Sequence, residues 1–290
     1  MTYFTGSGVI HMTGGVAALC GAVIVGPRTG RFSESSEHNY GPTSVLNIAL
    51  GTFILWFGWF GFNGGSTLGL SGGVALQAAQ ACVVTTMSAA FGGIVSFLVS
   101  SFLNKKYDVC AFANGILAGL VGITAGCGNM DVPASCGIGM VSGVIVVLSS
   151  NLLQKLKIDD PVDAFSVHGA CGIWGVVAAG LFDKDLGLFT GEEGDFHAAL
   201  GPNLVGILAI ATWSAGVSTP IFLVLLKLNL LRASEAEQME GLDQEFTAVR
   251  GPVDQIAIEL QKLDKDVLQV KGESKATFQE LQKNPALVGV

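Results

Sequence analysis

The chain has 290 residues, of which half are apolar and 13% charged, with a mean hydropathy of +0.57. A soluble domain carries about 25% charged residues, so one soluble globule is excluded for most of the length. The net charge of −8 comes largely from one acidic loop and the C-terminal segment, and no basic stripe with interleaved aromatics marks a nucleic-acid binder.

Seven apolar runs long enough to cross a membrane are expected, at about 20 residues each. In chain order they are Phe4–Val25, Ser44–Asn63, Val74–Leu103, Val109–Cys127, Ala134–Leu156, Asp160–Leu181 and Leu204–Leu231. The fold class is therefore an all-α polytopic helix bundle. The 40 glycines fall mainly inside these runs, where small residues let helix backbones approach closely. The basic residues Arg28 and Arg31, Lys105 and Lys106, Lys155 and Lys157, and Lys227 and Arg232 lie at or just past the ends of the first, third, fifth and seventh runs. The other connections lack bases or are acidic. By the positive-inside rule the basic ends and the tail are cytoplasmic and the N-terminus faces outward.

Residues 1–232 form the expected membrane core. The tail, residues 233–290, holds 11 acids and 6 bases, against 21 charged residues in the preceding 232. Within it Ile256, Leu260, Leu263, Val267 and Val270 recur at intervals of four and three, which is two heptads of a seam. A short amphipathic helix is expected there, because a sustained coiled coil wants more heptads.

Two histidines lie inside apolar runs, His11 in GSGVIHMTGG and His168 in DDPVDAFSVHGACGIWG. A titratable ring at membrane depth is expensive and lines a pathway or makes an interhelical hydrogen bond. At 1.5 Å rise per residue both rings fall near the midplane of a hydrocarbon core about 30 Å thick. There one imidazole can donate to the other while both stay neutral. Asp160 is placed as the N-cap of the His168 helix, Pro161 at its first position and Asp163 at N3, where it complements the helix dipole. The second run ends in WFGFNGGS, residues 59–66. Phe62 there is either part of an interfacial aromatic belt or a gate, and Ser66 a hydrogen-bond acceptor for a solute. His38 and His197 sit in polar loops as solvated side chains. The six cysteines lack zinc-ligand spacing and read as small buried apolar groups, with Cys127 and Cys136 close enough in sequence to allow a disulfide. No P-loop, metal-ligand spacing or nucleophile elbow appears, so neither enzyme activity nor a cofactor or metal is expected.

The segments DDPVDAFSVHGACGIWGVVAAGLF, GSGVIHMTGGVAALCGAVIVGPRTGRF and GTFILWFGWFGFNGGSTLG together resemble the ammonium transporter family (Amt/Mep/Rh), and within it the eukaryotic Amt branch. The resemblance runs from Gly6 to Asp243. It implies an eleven-helix inverted-repeat transporter, of which the seven runs match helices five to eleven. It implies an N-terminally truncated chain, consistent with the abrupt start at Met1. His11 and His168 then correspond to the twin pore histidines, Phe62 to one of two stacked gate phenylalanines, and Ser66 to the serine of the outer ammonium site. Asp160 and Asp163 correspond to acids that support the pore helices. Tyr3 stands where the family has an aspartate eight residues before the first pore histidine, and the tail diverges after Asp243. The resemblance further implies ammonium or ammonia as substrate, a lipid-embedded homotrimer or heterotrimer with related subunits, and a plasma-membrane location. The alternatives are a non-conducting ammonium sensor or regulatory subunit, or an inactive fragment.

Overall fold

The computed structural model describes residues 6–33, 40–191, 196, 200–240, 263 and 267. It divides into two compact units, Met1–Ala233 and Ser234–Val290. Every regular element among the described residues is helical.

The first unit holds α1 (Ser7–Val25), α2 (Val45–Gly64), α3 (Gly73–Asn104), α4 (Val109–Thr124), α5 (Val132–Lys155), α6 (Phe165–Phe182) and α7 (Leu200–Lys227). Six of these are long and apolar enough to cross a membrane, and α4, at 16 residues, is shorter. The expected fourth run therefore stops at Thr124 rather than Cys127, for a specific reason. The Ser7 hydroxyl donates to Val121 O at 2.7 Å and accepts from Ala125 N at 2.7 Å. It is inserted between the two groups that would have formed the next rung of the α4 ladder, and the helix ends there. The expected Phe4 start of the first run lies outside the described residues.

Two of the apolar helices, α4 and α2, show what positions the core. Along α4, Ala113, Gly115, Ile116 and every residue from Ala118 to Thr124 are buried. Along α2, Leu46, Leu50, Phe53, Ile54 and Phe57 are exposed, and burial is confined to Thr52, Trp59, Asn63 and Gly64. The two helices differ in what their small residues meet: a Cβ on Gly51, Gly58 or Gly61 of α2 would touch nothing. A Cβ on Gly119 of α4 or on Gly139 of α5 would overlap the backbone of Ser88 in α3, so α3, α4 and α5 pack at backbone contact. The Ser88 hydroxyl closes that junction by donating to Gly119 O at 2.7 Å.

The ends that carry bases meet at one end of this unit. Arg28, just past α1, donates from Nε to Asp159 Oδ2 at 2.7 Å and from Nη2 to Oδ1 at 2.9 Å, and its backbone N–H adds a third bond at 3.0 Å. Arg232, after α7, donates to Val25 O at 2.8 Å and to Pro27 O at 2.7 Å. The odd-numbered helices thus finish together, as the alternation of basic and non-basic loops requires. At the other end the acidic stretch after α6 is ordered by its own turn. Asp183 accepts from the backbone of Asp185 and Leu186 and from Asn129, and Lys184 pairs with Asp131 at 2.7 Å.

None of the six cysteines is in a disulfide, so Cys127 and Cys136 are not joined. In the second unit Ser234 and Glu237 exchange the reciprocal bonds of a capping box at the start of α8 (Glu235–Glu240). Leu263 and Val267 of the expected seam are helical and exposed. Ile256, Leu260 and Val270 lie outside the described residues, as do Tyr3, His38 and His197.

Candidate functional site

Three helices depart from α geometry, and all three do so where rings meet. π-helical turns occupy Ser7–Met12 in α1, Phe60–Gly64 in α2 and Phe165–Ala170 in α6. Such turns are rare and concentrate at functional sites. The first carries His11, the second Phe62 and the third His168.

The close approach of α1 and α6 is set by Gly15, where any Cβ would collide with the backbone of His168 and Gly169. With the helices in contact, His11 Nδ1 and His168 Nδ1 lie 3.2 Å apart, a hydrogen bond in which one ring donates and the other accepts. The two rings are nearly coplanar and meet edge to edge at these nitrogens, with centroids 5.3 Å apart and planes 13° from parallel. One face of His11 stacks against Trp59, at 5.1 Å and 10°. Phe62 stands at 58° to His11 with centroids 5.5 Å apart and edge-on to Trp59 at 5.9 Å. The Nε2 atom of His11 is buried and has no hydrogen-bond partner among the described residues.

The other expected residues surround this group at different distances in the chain. Ser66 lies one turn beyond Phe62, and its hydroxyl donates to Phe62 O at 2.6 Å. With its proton committed, the oxygen is left to accept. Asp160 is not the N-cap residue expected, since it lies several residues before the helix, but its carboxylate reaches forward to the first turn and accepts from Ala164 N at 2.9 Å and Phe165 N at 2.8 Å. The expected start of the sixth run at Asp160 needs correction. Pro161 to Asp163 form a turn outside the helix, and Asp163 has a left-handed backbone with φ of 54°. Asp163 is therefore not at N3. Its carboxylate instead accepts from Asn114 of α4 at 2.8 Å, joining the approach to α6 with the core helix. Both residues border a polar cavity of about 310 Å³ among the basic-side ends of α3, α4 and α5.

Electrostatics at this end is dominated by Asp159, whose side chain is 4% exposed. Burial pushes its carboxyl upward, but the side-chain and backbone bonds from Arg28 and the charges of Arg28 and Arg31 outweigh that and hold it below the ordinary range. Arg28 is raised in turn, chiefly by its side-chain bond to Asp159.

Trp59 and Thr124 did not stand out as site residues in the sequence. Trp59 is buried, and its Nε1–H donates to Thr124 Oγ1 at 3.0 Å, while the threonine proton goes to Leu120 O at 2.7 Å. The WFGFN run contained Trp59, but its contact with a threonine 65 residues away has no local signal. No group of three or more His, Cys, Asp or Glu side chains suited to a metal occurs among the described residues.

Comparison with known proteins gives a consistent picture. The family model described as Ammonium Transporter Family matches residues 1–248. A putative ammonium transporter 1 member 5 of Arabidopsis thaliana is 38% identical over 264 residues, covering 83% of this chain and 52% of the relative. A putative ammonium transporter of Synechocystis sp. is 38% identical over 243 residues, covering 83% and 53%. Among solved structures, one described as a sensor Amt protein superposes with a TM-score of 0.76 at 34% identity, covering 83% of this chain and 59% of that one. The Mep2 of Saccharomyces cerevisiae gives 0.71 at 31% identity, covering 81% and 55%. The chain spans about half the length of the curated relatives it matches.

Proposed function

The chain belongs to the Ammonium Transporter Family, and from that premise we propose that it moves ammonium across a membrane, with ammonia passing the His11–His168 pair. The observation that carries this reading is the buried, unpartnered Nε2 of His11 beside a committed Nδ1. If His11 donates its Nδ1 proton to His168, its Nε2 is a bare acceptor that an N–H of the solute can satisfy. If His168 donates, His11 Nε2 carries a proton that the lone pair of ammonia can accept. Ammonia is both donor and acceptor, so it fits either tautomer. An alkali cation has neither a hydrogen nor a lone pair to offer and makes neither hydrogen bond.

The surroundings support selection before passage. Stripping water from an ammonium ion costs many kcal/mol in an apolar wall, so the proton is left behind and the neutral molecule crosses. Ser66, limited to accepting, and the ring face of Phe62 suit a cation at the outer end of this path. The conduit is assigned to the spans and the basic ends to the cytoplasmic side, with the tail on that side, in the plasma membrane. Assembly as a trimer of this chain or with related subunits is part of the same reading, as is the division into a core at residues 1–232 and a tail at residues 233–290. Asp160 and Asp163 hold the start of α6 and act on the pair through its placement.

Uptake of labelled ammonium by a host lacking its own ammonium transporters tests the proposal. Expression of the protein should raise uptake, and His168→Leu should change its rate or its discrimination against methylammonium. Uptake no greater than that of the empty host, or unchanged behaviour when His11 and His168 are both leucine, would overturn it.

A further inference from the structure

We propose that Thr124 is a specificity-determining positioning residue. It keeps the Trp59 indole N–H out of the conduit and locks the indole face parallel to His11, so that of these two rings only the imidazole, through Nε2, is left to hydrogen-bond a solute. The proposal rests on the reading of His11 as the ammonia-contacting group.

The geometry points this way through three linked bonds. Thr124 is the last residue of α4 and is fully buried. Its proton is given to Leu120 O, so the oxygen must present a lone pair, and it presents it to Trp59 Nε1 at 3.0 Å. The indole nitrogen is the one polar atom on the Trp59 ring. Fixing that atom at the ring edge fixes the rotation of the plane, and the plane lies 10° from that of His11. His11 is thereby held at two places, by Trp59 on one face and by His168 at its Nδ1 edge.

The alternative arrangement shows what the bond prevents. An uncommitted indole N–H beside His11 would be a strong donor in a low-dielectric wall. It would hold a water molecule, or hold the lone pair of ammonia, and either would turn a transit point into a trap. With the N–H spent on Thr124, Trp59 offers only its π face. That face tolerates a passing positive charge and does not bind a neutral donor–acceptor strongly. A leaf of the wall that is aromatic and hydrogen-bond-silent leaves the imidazole to discriminate.

The test uses the whole chain in lipid nanodiscs, with nitrogen-15 in the histidine rings and tryptophan indoles. Trp59 is assigned by loss of its indole signal in Trp59→Phe. In the parent, ammonium chloride should shift the His11 ring nitrogens saturably where sodium chloride does not. Thr124→Val should speed hydrogen exchange at the Trp59 indole about tenfold or more, the consequence of orphaning a buried donor, and should move the His11 signals. Thr124→Ser, which keeps the acceptor, should restore both. In Trp59→Phe, which has no N–H to hide, adding Thr124→Val should change the histidine response to ammonium no further.

Exchange at Trp59 and His11 signals that stay at parental values in Thr124→Val would overturn the proposal. So would failure of a folded Thr124→Ser to restore them, or an undiminished effect of Thr124→Val in the Trp59→Phe background. No ammonium-dependent shift in the parent would instead overturn the reading of His11 on which the proposal rests.

Discussion

Helices α1 and α6 are held together twice, once at membrane depth and once at the basic end, and the two junctions use opposite chemistry. At depth the contact is backbone against backbone at Gly15 and Gly169, with a neutral ring pair beside it. At the basic end it is a guanidinium bridging to a buried carboxylate, Arg28 to Asp159, in the connections that leave α1 and enter α6. Within the apolar layer an ion pair would cost more in desolvation than it returns, so fit and neutral hydrogen bonds do the holding. At the end of the bundle, half-exposed arginines remain partly hydrated and the charge pair is tolerable. One junction should thus respond to volume and the other to pH.

The largest effect is expected where volume matters most. Gly15→Val drives two methyl groups into the backbone of α6, and repacking must separate the histidines. A loss of about 3 kcal/mol or more is expected, read as a collapse of the monodisperse folded fraction in detergent. A variant as stable as the parent would mean that α1 and α6 do not touch at that point.

Arg28→Ala comes next. It leaves Asp159 buried, with Arg31 Nε 3.5 Å away as the remaining partner. The full cost of breaking a buried pair is reduced because the Arg28 side chain is 41% exposed, to about 2 kcal/mol in thermal unfolding. The pH dependence follows from the sign of the Asp159 shift. Its folded pKa is depressed, so its contribution is fully present above the unfolded value near 3.9 and is lost as pH falls through the lower folded value. The parent should therefore lose stability on acidification below about pH 4, and Arg28→Ala should lose less of it. Parallel acid profiles for the two proteins would remove Arg28 as the cause.

Ser7→Ala probes the depth junction more gently. It removes the hydroxyl that bridges Val121 O and Ala125 N, at a cost of about 1–2 kcal/mol. If α4 closes its own ladder instead, the loss vanishes and amide exchange at Ala125 slows, which would show the inserted hydroxyl to be a choice of register and not a support. Smallest of all is Arg31→Ala, expected to cost below about 0.5 kcal/mol, since its approach to Asp159 is long and part of its side chain is in solvent.

What could be read from the chain divides along the same line. Hydropathy located all the long helices to within a few residues, because the apolar period needs no tertiary knowledge. Counting at a known rise put His11 and His168 at one level along their helices, and the structure brings the two rings to 3.2 Å. The π turns carry no composition signal and are imposed by contacts between helices, so nothing in GSGVIHM or FSVHGA announced them. Asp163 was misplaced because DDPVD fits a standard helix start, whereas the structure spends Pro161 to Asp163 on a turn that aims its carboxylate at Asn114. The early end of α4 depends on a serine more than a hundred residues upstream, and Trp59 on Thr124. Such couplings between distant residues are invisible to a local pattern.

The most direct measurement of the central claim is an experimental structure of the protein in lipid with and without methylammonium. The account predicts new density within hydrogen-bond distance of His11 Nε2, bounded by Trp59 and Phe62, with the His11–His168 contact intact. Density at other sites with this position empty, or a pair that separates when the solute enters, would contradict it.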